Sequence, residues 1–248
     1  MTAVYVLWLR ELRRYVRSRV QIVASLGQPC LYLIALGFGL GPTFQKAGNG
    51  SYLQFVAPGV IGMTILFSSV FSGIGLLWDR QFGFLKETLV APVPRLNLML
   101  GKTLGGATVA MIQGVLMLAI ACLIGFRPVS LLQIPVGLAF MALIAIVFAA
   151  LGTAIGSLLE DMQGFQLTMN FLVMPIFFLS GALYPLAGLP GAMAVVTWFD
   201  PLAYGVDGLR AALIATTHFG PLHDLAALGA FAAAFLAFGS WSFSRIQV

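Results

Sequence analysis

The most charged stretch of this sequence covers residues 78–95, which read Trp-Asp-Arg-Gln-Phe-Gly-Phe-Leu-Lys-Glu-Thr-Leu-Val-Ala-Pro-Val-Pro-Arg. Long apolar runs flank it on both sides. The chain has 13 basic and 8 acidic residues, and five of them lie within these eighteen positions, namely Asp79, Arg80, Lys86, Glu87 and Arg95. Charges at this density are excluded from lipid hydrocarbon. The stretch is therefore expected at a membrane surface or inside protein.

A short helix is predicted within this stretch. Phe82, Leu85 and Leu89 recur at helical spacing with Phe84 beside them, and the two prolines that follow end a helix at about residue 91. The pattern indicates an amphipathic helix closed by a stiff turn. A solvated loop between two membrane helices would have the same composition.

Composition makes the chain an integral membrane protein. Of its 248 residues 60% are hydrophobic and 8% are charged, with a mean hydropathy of +1.00, whereas soluble domains carry about 25% charged residues. Cys30 and Cys122 fall inside apolar runs and are expected to pack rather than to form a disulfide. The basic charges cluster near the ends of apolar runs, which favours orientation in a bilayer over nucleic-acid binding.

An interfacial helix is predicted over residues 1–19. Arg10, Arg13, Arg14 and Arg17 share one helix face, and an apolar face that includes Trp8 lies opposite. Such a helix lies on the membrane with its arginines toward anionic lipid headgroups.

Six transmembrane helices are predicted in an all-α fold that forms one domain, residues 1–248. The expected spans are 20–40, 53–77, 98–124, 132–158, 165–183 and 225–243. Lys102, near the start of the third span, is expected to extend toward the membrane surface. Residues 184–210 include an apolar run, 192–199, that is too short to cross about 30 Å of hydrocarbon. This pattern favours a re-entrant or interfacial helical hairpin before the last span.

Charge placement predicts the topology. With six spans, ten of the 13 basic residues fall on the side of both termini and of residues 78–95, and the other three, Lys46, Arg127 and Arg210, fall on the opposite side. The positive-inside rule then places both termini in the cytoplasm.

Catalytic and metal-binding chemistry is not indicated. His218 and His223 lie five apart beside Asp224, but this spacing without further ligands is a weak metal signal. The sequence around Lys102 is not a P-loop, because Leu96 stands where that motif requires glycine. The predicted spans hold almost no ionisable residue away from their ends, unlike those of ion-driven carriers. Energy for any transport is therefore expected from outside the membrane.

Two stretches resemble the type-2 ABC transporter permeases. The pattern from Arg80 to Phe84, then Lys-Glu-Thr-Leu at 86–89 and Ala-Pro-Val-Pro-Arg at 91–95, is similar to the first cytoplasmic loop of that family. The second stretch comprises Ser180-Gly181, Tyr184-Pro185, Pro190, Asp200-Pro201-Leu202, Tyr204 and residues 206–210. Within the family, the chain looks most like the drug-resistance and nodulation lipo-oligosaccharide export permeases.

The resemblance implies that this chain is the permease subunit of an ATP-driven exporter in the inner or plasma membrane. The subunit would have no enzymatic activity of its own. Two ABC ATPase subunits would hold the ATP and Mg²⁺, and this chain would bind no cofactor. The permease would form a homodimer or a pseudo-dimer among membrane lipids. The loop at 78–95 would be the coupling helix that docks on the ATPase. Its expected coupling residues are Asp79, Arg80, Phe84, Lys86, Glu87, Leu89, Pro92 and Arg95.

A gate and a pathway complete the hypothesis. The expected external gate comprises Tyr184, Pro185, Asp200, Pro201, Tyr204, Asp207 and Arg210, with Asp207 and Arg210 paired three residues apart on a helix. The expected pathway for an apolar or amphiphilic substrate, a drug-like compound or a lipid-linked glycan, comprises Phe67, Phe71, Met169, Phe171, Met174, Phe177 and Phe178. Three alternatives stay open: a carrier or channel without an ATPase, a membrane scaffold, and a machine that flips lipid within the bilayer.

Overall fold

The computed structural model describes residues 2–46, 51–84, 93–186 and 190–245, and these residues form helices and connecting turns without a strand. In chain order the helices are α1 (Thr2–Arg17), α2 (Arg19–Gly39), α3 (Gly41–Lys46), α4 (Tyr52–Phe71), α5 (Ile74–Gln81), α6 (Arg95–Ile124), α7 (Ile134–Leu158), α8 (Met162–Leu179), α9 (Gly191–Thr197), α10 (Pro201–Ile214) and α11 (Pro221–Ser244). The 3₁₀ turn Leu131–Gln133 leads into α7.

The six predicted spans are confirmed as six helices that are long and apolar enough to cross a membrane: α2, α4 with α5, α6, the 3₁₀ turn with α7, α8, and α11. The second span extends beyond its predicted end at residue 77. It continues through α5 to Gln81, and α6 begins at Arg95. The first four residues of the stretch 78–95 therefore belong to a helix.

The centre of the bundle is formed by α4 and α7, which are the two most buried spans, whereas α2, α8 and α11 are the least buried. The backbones of the two central spans meet at glycines. A Cβ atom on Gly156 would lie 2.8 Å from the Gly73 carbonyl oxygen, and one on Gly152 would collide with the Val70 carbonyl. Small residues of this kind allow two membrane helices to touch without intervening side chains.

Two helices, α9 and α10, lie between the fifth and sixth spans, where the sequence predicted a helical hairpin. Helix α9 is short, and α10 is buried along nearly its whole length against α4, α7 and α11. The fourteen residues of α10 extend about 21 Å, less than the hydrocarbon thickness. Asp200 caps α10 by accepting a 2.8 Å hydrogen bond from the Leu202 amide, with Pro201 in the first turn. Whether the hairpin enters the membrane stays a prediction.

Candidate functional site

The N-terminal helix α1 packs along α6 instead of lying apart from the bundle. Two glycines one turn apart on α6 admit it, since a Cβ on Gly101 would lie 2.9 Å from Leu7 Cβ and one on Gly105 would lie 2.9 Å from Glu11 Cβ. Further along, the Trp8 indole donates a 3.0 Å hydrogen bond to the Thr108 hydroxyl. The apolar face of α1 therefore meets protein.

An ion-pair network joins α1, α5 and α6. The Asp79 carboxylate contacts Arg10 at 2.5 Å and also contacts the Lys102 ammonium. Lys102 in turn lies 2.8 Å from Oε1 of Glu11, and Arg14 lies 3.8 Å from Oε2 of the same carboxylate. The side chains of Lys102, Asp79 and Glu11 are only 10–15% exposed. The Lys102 ammonium is thus held between Glu11 of α1 and Asp79 of α5, and its predicted extension toward the membrane surface stays a prediction.

The charge state of Glu11 follows from this network. Burial by itself raises the pKa of the Glu11 carboxyl, but Lys102, followed by Arg14 and Arg10, outweighs burial and holds this pKa below its ordinary value of 4.5. Glu11 is therefore ionised at neutral pH, as its three cationic neighbours require.

Four of the eight predicted coupling residues contact other parts of the bundle, and the other four lie outside the described residues. Asp79 lies inside the network and not on the outer surface of the chain. The Arg80 guanidinium donates to the Leu159 carbonyl at 3.0 Å, which ties α5 to the end of α7. Phe84 lies under Arg10, whose Cζ is 5.8 Å from the ring centroid, and Arg95 donates to the Ser244 carbonyl at 2.6 Å. Lys86, Glu87, Leu89 and Pro92 lie outside the described residues.

Exposed aromatic rings accompany these charges. Trp78 and Phe82 stack at 5.4 Å between centroids, and together with Phe84 they are 42%, 68% and 53% exposed, respectively. We refer to these three rings as the aromatic patch. They lie at the end of the bundle that holds α1 and the end of α11, hereafter the terminal end. The aromatic patch offers apolar surface directly before residues 85–92.

At the opposite end of the bundle, Arg210 holds the turn that follows α8. Its guanidinium donates to the carbonyl oxygens of Gly181 and Ala182 at 2.8 and 3.1 Å, and its Cζ lies 3.9 Å from the centroid of the Phe55 ring. The residue is 6% exposed. Tyr52 supports the same turn with a 2.7 Å hydrogen bond to the Leu183 carbonyl. Arg210 therefore fastens the fifth span to α4 and α10.

Asp207 is engaged elsewhere. Its carboxylate accepts hydrogen bonds of 2.8–2.9 Å from the Thr217 hydroxyl and from the amides of His218 and Phe219. The predicted pair of Asp207 with Arg210 is wrong: among the ion pairs of the described residues it does not occur. Each side chain instead satisfies backbone groups of a different loop.

The other predicted gate residues are near this end as well. The hydroxyl groups of Tyr184 and Tyr204 donate to the carbonyls of Phe178 and Trp198 at 2.7 and 2.8 Å. Pro185 is exposed, whereas Asp200 and Pro201 are buried at the start of α10. The predicted gate is thus a set of loop anchors around α10. Whether it opens and closes stays a prediction.

Comparison with known proteins identifies the family of this fold. The sequence model described as "ABC-2 type transporter" matches residues 2–214. The chain belongs to the ABC-2 type transporter family. Among its relatives, Nodulation protein J of Rhizobium meliloti (strain 1021) is 30% identical over 192 residues, which cover 76% of this chain and 72% of the relative. The inner membrane transport permease YadH of Escherichia coli (strain K12) is 27% identical over 206 residues, which cover 82% and 80%.

A third relative, the putative transport permease ycf38 of Cyanophora paradoxa, is 27% identical over 201 residues, which cover 78% of this chain and 68% of the relative. The resemblance seen in the sequence is therefore confirmed at the level of the family. An ABC-2 family chain with transport permeases among its relatives is consistent with a transport subunit that has no enzymatic activity.

The predicted pathway residues of this ABC-2 family chain fall into three groups. Phe67 and Phe71 line a cleft of about 320 Å³ between α1, α2, α4 and α6. Met169 and Phe177 are fully buried, and Phe177 packs edge-on against Phe67 at 6.4 Å between centroids, so these two side chains serve the core. The other three side chains are exposed on the outer face of α8: Phe171, Met174 and Phe178. The structure thus brings the aromatic residues of α4 and α8 together but does not line one path with all seven.

Proposed function

We propose that this chain is the membrane-spanning permease subunit of an ATP-driven exporter. Two copies would form the permease and bind two ABC ATPase subunits. The permease would lie in the inner or plasma membrane, with both termini in the cytoplasm. Family membership supports the proposal, since ABC-2 permeases normally work with an ATPase subunit. The observation that carries it is the ion-pair network at Asp79, directly before the predicted coupling helix.

The network gives a physical route for coupling. Force applied to residues 85–92 by a partner reaches Asp79, which contacts α1 through Arg10 and α6 through Lys102. It also reaches Arg80, which contacts the end of α7 through the Leu159 carbonyl. Charge-assisted contacts are shorter and stronger than neutral hydrogen bonds, so we expect them to carry a displacement of residues 85–92 into the bundle. The aromatic patch would add apolar surface for the ATPase.

The expected substrate class is based on apolar aromatic side chains of α4 and α8. We expect a hydrophobic or amphiphilic molecule, a drug-like compound or a lipid-linked glycan, that enters from the cytoplasm or the inner leaflet. The aromatic surfaces of Phe67 and Phe71 and the exposed Phe171 adapt to varied apolar shapes. Lipid flipping within the bilayer by the same machine would use the same contacts.

Co-purification tests the proposal. The tagged permease, extracted from its native membrane, should retain an ABC ATPase, and ATP hydrolysis by the complex should rise with an amphiphilic substrate. Glu87→Lys should weaken the association or uncouple hydrolysis, because like charge then faces any basic group of the partner. Glu87→Asp keeps the charge and is the matched control.

A full yield of permease with no ATPase bound in any detergent would favour a carrier, channel or scaffold instead. Wild-type transport by the Glu87→Lys protein would contradict the coupling role of this residue.

A further inference from the structure

Asp224, in the first turn of α11, is a buried acid without a hydrogen-bonding partner. The residue is 0% exposed, and neither oxygen of its carboxyl group meets a hydrogen-bond donor among the described residues. It belongs to none of the ion pairs that these residues form. An ionised carboxylate that is buried without a partner has a large desolvation cost. The position of Asp224 therefore requires that its negative charge be neutralised.

The surrounding helices do not supply this neutralisation. Amide groups at the start of a helix often donate to a nearby acidic side chain, but no amide of α11 reaches either carboxyl oxygen of Asp224. The backbone amide of Asp224 itself donates to the Gly220 carbonyl at 3.0 Å. On the adjacent helix α10, the Arg210 guanidinium donates to the carbonyls of Gly181 and Ala182 instead.

The titratable groups around Asp224 come from α10, from the loop 215–220 and from α11 itself. The carboxyl group of Asp207 on α10 lies within hydrogen-bonding distance of the Asp224 carboxyl group. Tyr204 lies one turn earlier on α10, and its hydroxyl donates to a backbone carbonyl of the preceding turn. The His223 ring packs on the Tyr204 ring at 5.6 Å between centroids, and His218 of the loop packs on a phenylalanine. None of these side chains donates to Asp224.

Asp207 can accept one more hydrogen bond. Its carboxylate already accepts from three donors at 2.8–2.9 Å, namely the Thr217 hydroxyl and the amides of His218 and Phe219. An ionised carboxylate has about four lone-pair sites, so a fourth donor can be accommodated. Because its three loop partners all donate, Asp207 is the ionised member of the pair. Two ionised carboxylates in contact would repel each other, whereas a protonated Asp224 would be the fourth donor.

We propose that Asp224 carries a proton and donates a hydrogen bond to the ionised carboxylate of Asp207. This proton neutralises the buried acid of α11 and fastens the first turn of the last span to α10. Through Asp207 it also supports the loop 215–220. Loss of the proton places two negative charges side by side and pushes the last span away from α10. The pair is thus a proton-dependent contact at the end of the bundle opposite the terminal end. It does not depend on the proposed export function.

Infrared spectroscopy tests for the proton directly. The full chain is reconstituted in phosphatidylcholine vesicles at neutral pH, and the absorption band of protonated carboxyl groups is compared between proteins. Asp224→Asn should remove the contribution of one protonated carboxyl group from this band. Glu160→Gln is the matched control, because Glu160 is exposed after the end of α7 and should contribute nothing to the band. An equal band in the wild type and in Asp224→Asn would overturn the proposal.

Amide hydrogen exchange in the loop 215–220 tests the contact. The side-chain amide of Asp224→Asn is uncharged and can still donate to Asp207, so loop exchange at neutral pH should stay within about twofold of the wild-type rate. Asp207→Asn weakens the acceptor of the His218 and Phe219 amides and should speed exchange about tenfold. Wild-type exchange rates in Asp207→Asn would overturn the link between the pair and the loop.

Alkaline conditions separate the wild type from Asp224→Asn. When the pH is raised until the infrared contribution of Asp224 disappears, loop exchange corrected for its intrinsic pH dependence should rise about tenfold in the wild type and remain unchanged in Asp224→Asn. The same exchange profile in both proteins would overturn the proton-dependent contact. An infrared band unaffected by Asp224→Asn, together with a thermal midpoint that a chelator lowers, would show that a cation neutralises the two acids, which also overturns the proposal.

Discussion

The Lys102 ammonium lies 2.8 Å from Oε1 of Glu11, 91 residues earlier in the chain. This contact fastens the first turns of the third span to the N-terminal helix. It also brings Asp79, at the end of the second span, under the same helix. Helices α1, α5 and α6 are thus held together by buried charge.

Lys102→Met should destabilise this junction. The substitution removes the cation that contacts both Glu11 and Asp79. The side chains of these two acidic residues are only 15% and 13% exposed. We expect the free energy of unfolding to fall by about 2 kcal/mol, less than the ~3–5 kcal/mol for a fully unpaired buried charge, because Arg10 remains. Thermal unfolding in detergent measures the loss. Lys102→Arg keeps the charge and should lose less, and equal stability of all three proteins would contradict the role of the network.

Acidification should weaken the same junction. Because the pKa of Glu11 is lower in the folded than in the unfolded protein, its ionised form contributes stability above the ordinary value of 4.5, and this is lost as the pH falls through the folded-state pKa. The thermal midpoint should therefore drop more steeply below pH 4.5 in the wild type than in Glu11→Gln. Parallel pH profiles for the two proteins would show that Glu11 is not the responsible group.

Gly105→Leu should displace α1 from α6. A Cβ at this position already lies 2.9 Å from Glu11 Cβ, so a larger side chain forces the helices apart, with an overpacking cost of about 1–3 kcal/mol. Limited proteolysis should then cleave within residues 2–17 faster than in the wild type. Gly229→Leu on α11 is the control, because a Cβ there meets no atom within 4 Å. Equal cleavage rates for the two variants would argue against docking through this glycine.

Arg210→Lys should loosen the turn after α8 although charge is conserved. The planar Arg210 guanidinium donates to the carbonyls of Gly181 and Ala182 and stacks over the Phe55 ring at the same time. A lysine ammonium cannot make both kinds of contact. We expect a lower thermal midpoint and reduced transport. Arg127→Lys, at an exposed position of the same end, is the matched control. Transport by both variants at the wild-type rate would exclude a role for the Arg210 guanidinium.

Cysteine labelling should report the orientation. In a protein whose Cys30 and Cys122 are replaced by serine, His218→Cys is exposed in the structure and should react with an impermeant thiol reagent on intact cells. Asn49→Cys should react as well, and Thr88→Cys should react only after lysis, although the structure does not describe these two positions. Labelling at 88 in sealed cells would reverse the topology and remove the basis for coupling.

The six spans were predictable because hydropathy and length determine them with little help from tertiary packing. The place of α9 and α10 between the fifth and sixth spans was predictable for the same reason, since the apolar run 192–199 is too short to span. What the sequence did not reveal is which surfaces meet. Periodicity assigns Trp8 to the apolar face of α1, but it does not distinguish lipid from the glycines of α6 as the partner of that face.

The charged residues show the same limit. Lys102 and Asp79 are far apart in the chain, so no local spacing rule pairs them. Asp207 and Arg210 do satisfy such a rule, yet each finds backbone partners in a loop that the spacing cannot foresee.

The contact of α4 and α5 with α7 at Gly73, Gly152 and Gly156 restricts how the bundle can move. Carbonyl oxygens and α-carbons touch there directly. Unlike side chains, these backbone atoms cannot relieve a close contact by changing rotamer. We therefore expect the second and fourth spans to move together as one rigid unit. We therefore expect any rearrangement of the bundle to involve mainly the least buried helices α2, α8 and α11, which lie outside this backbone contact.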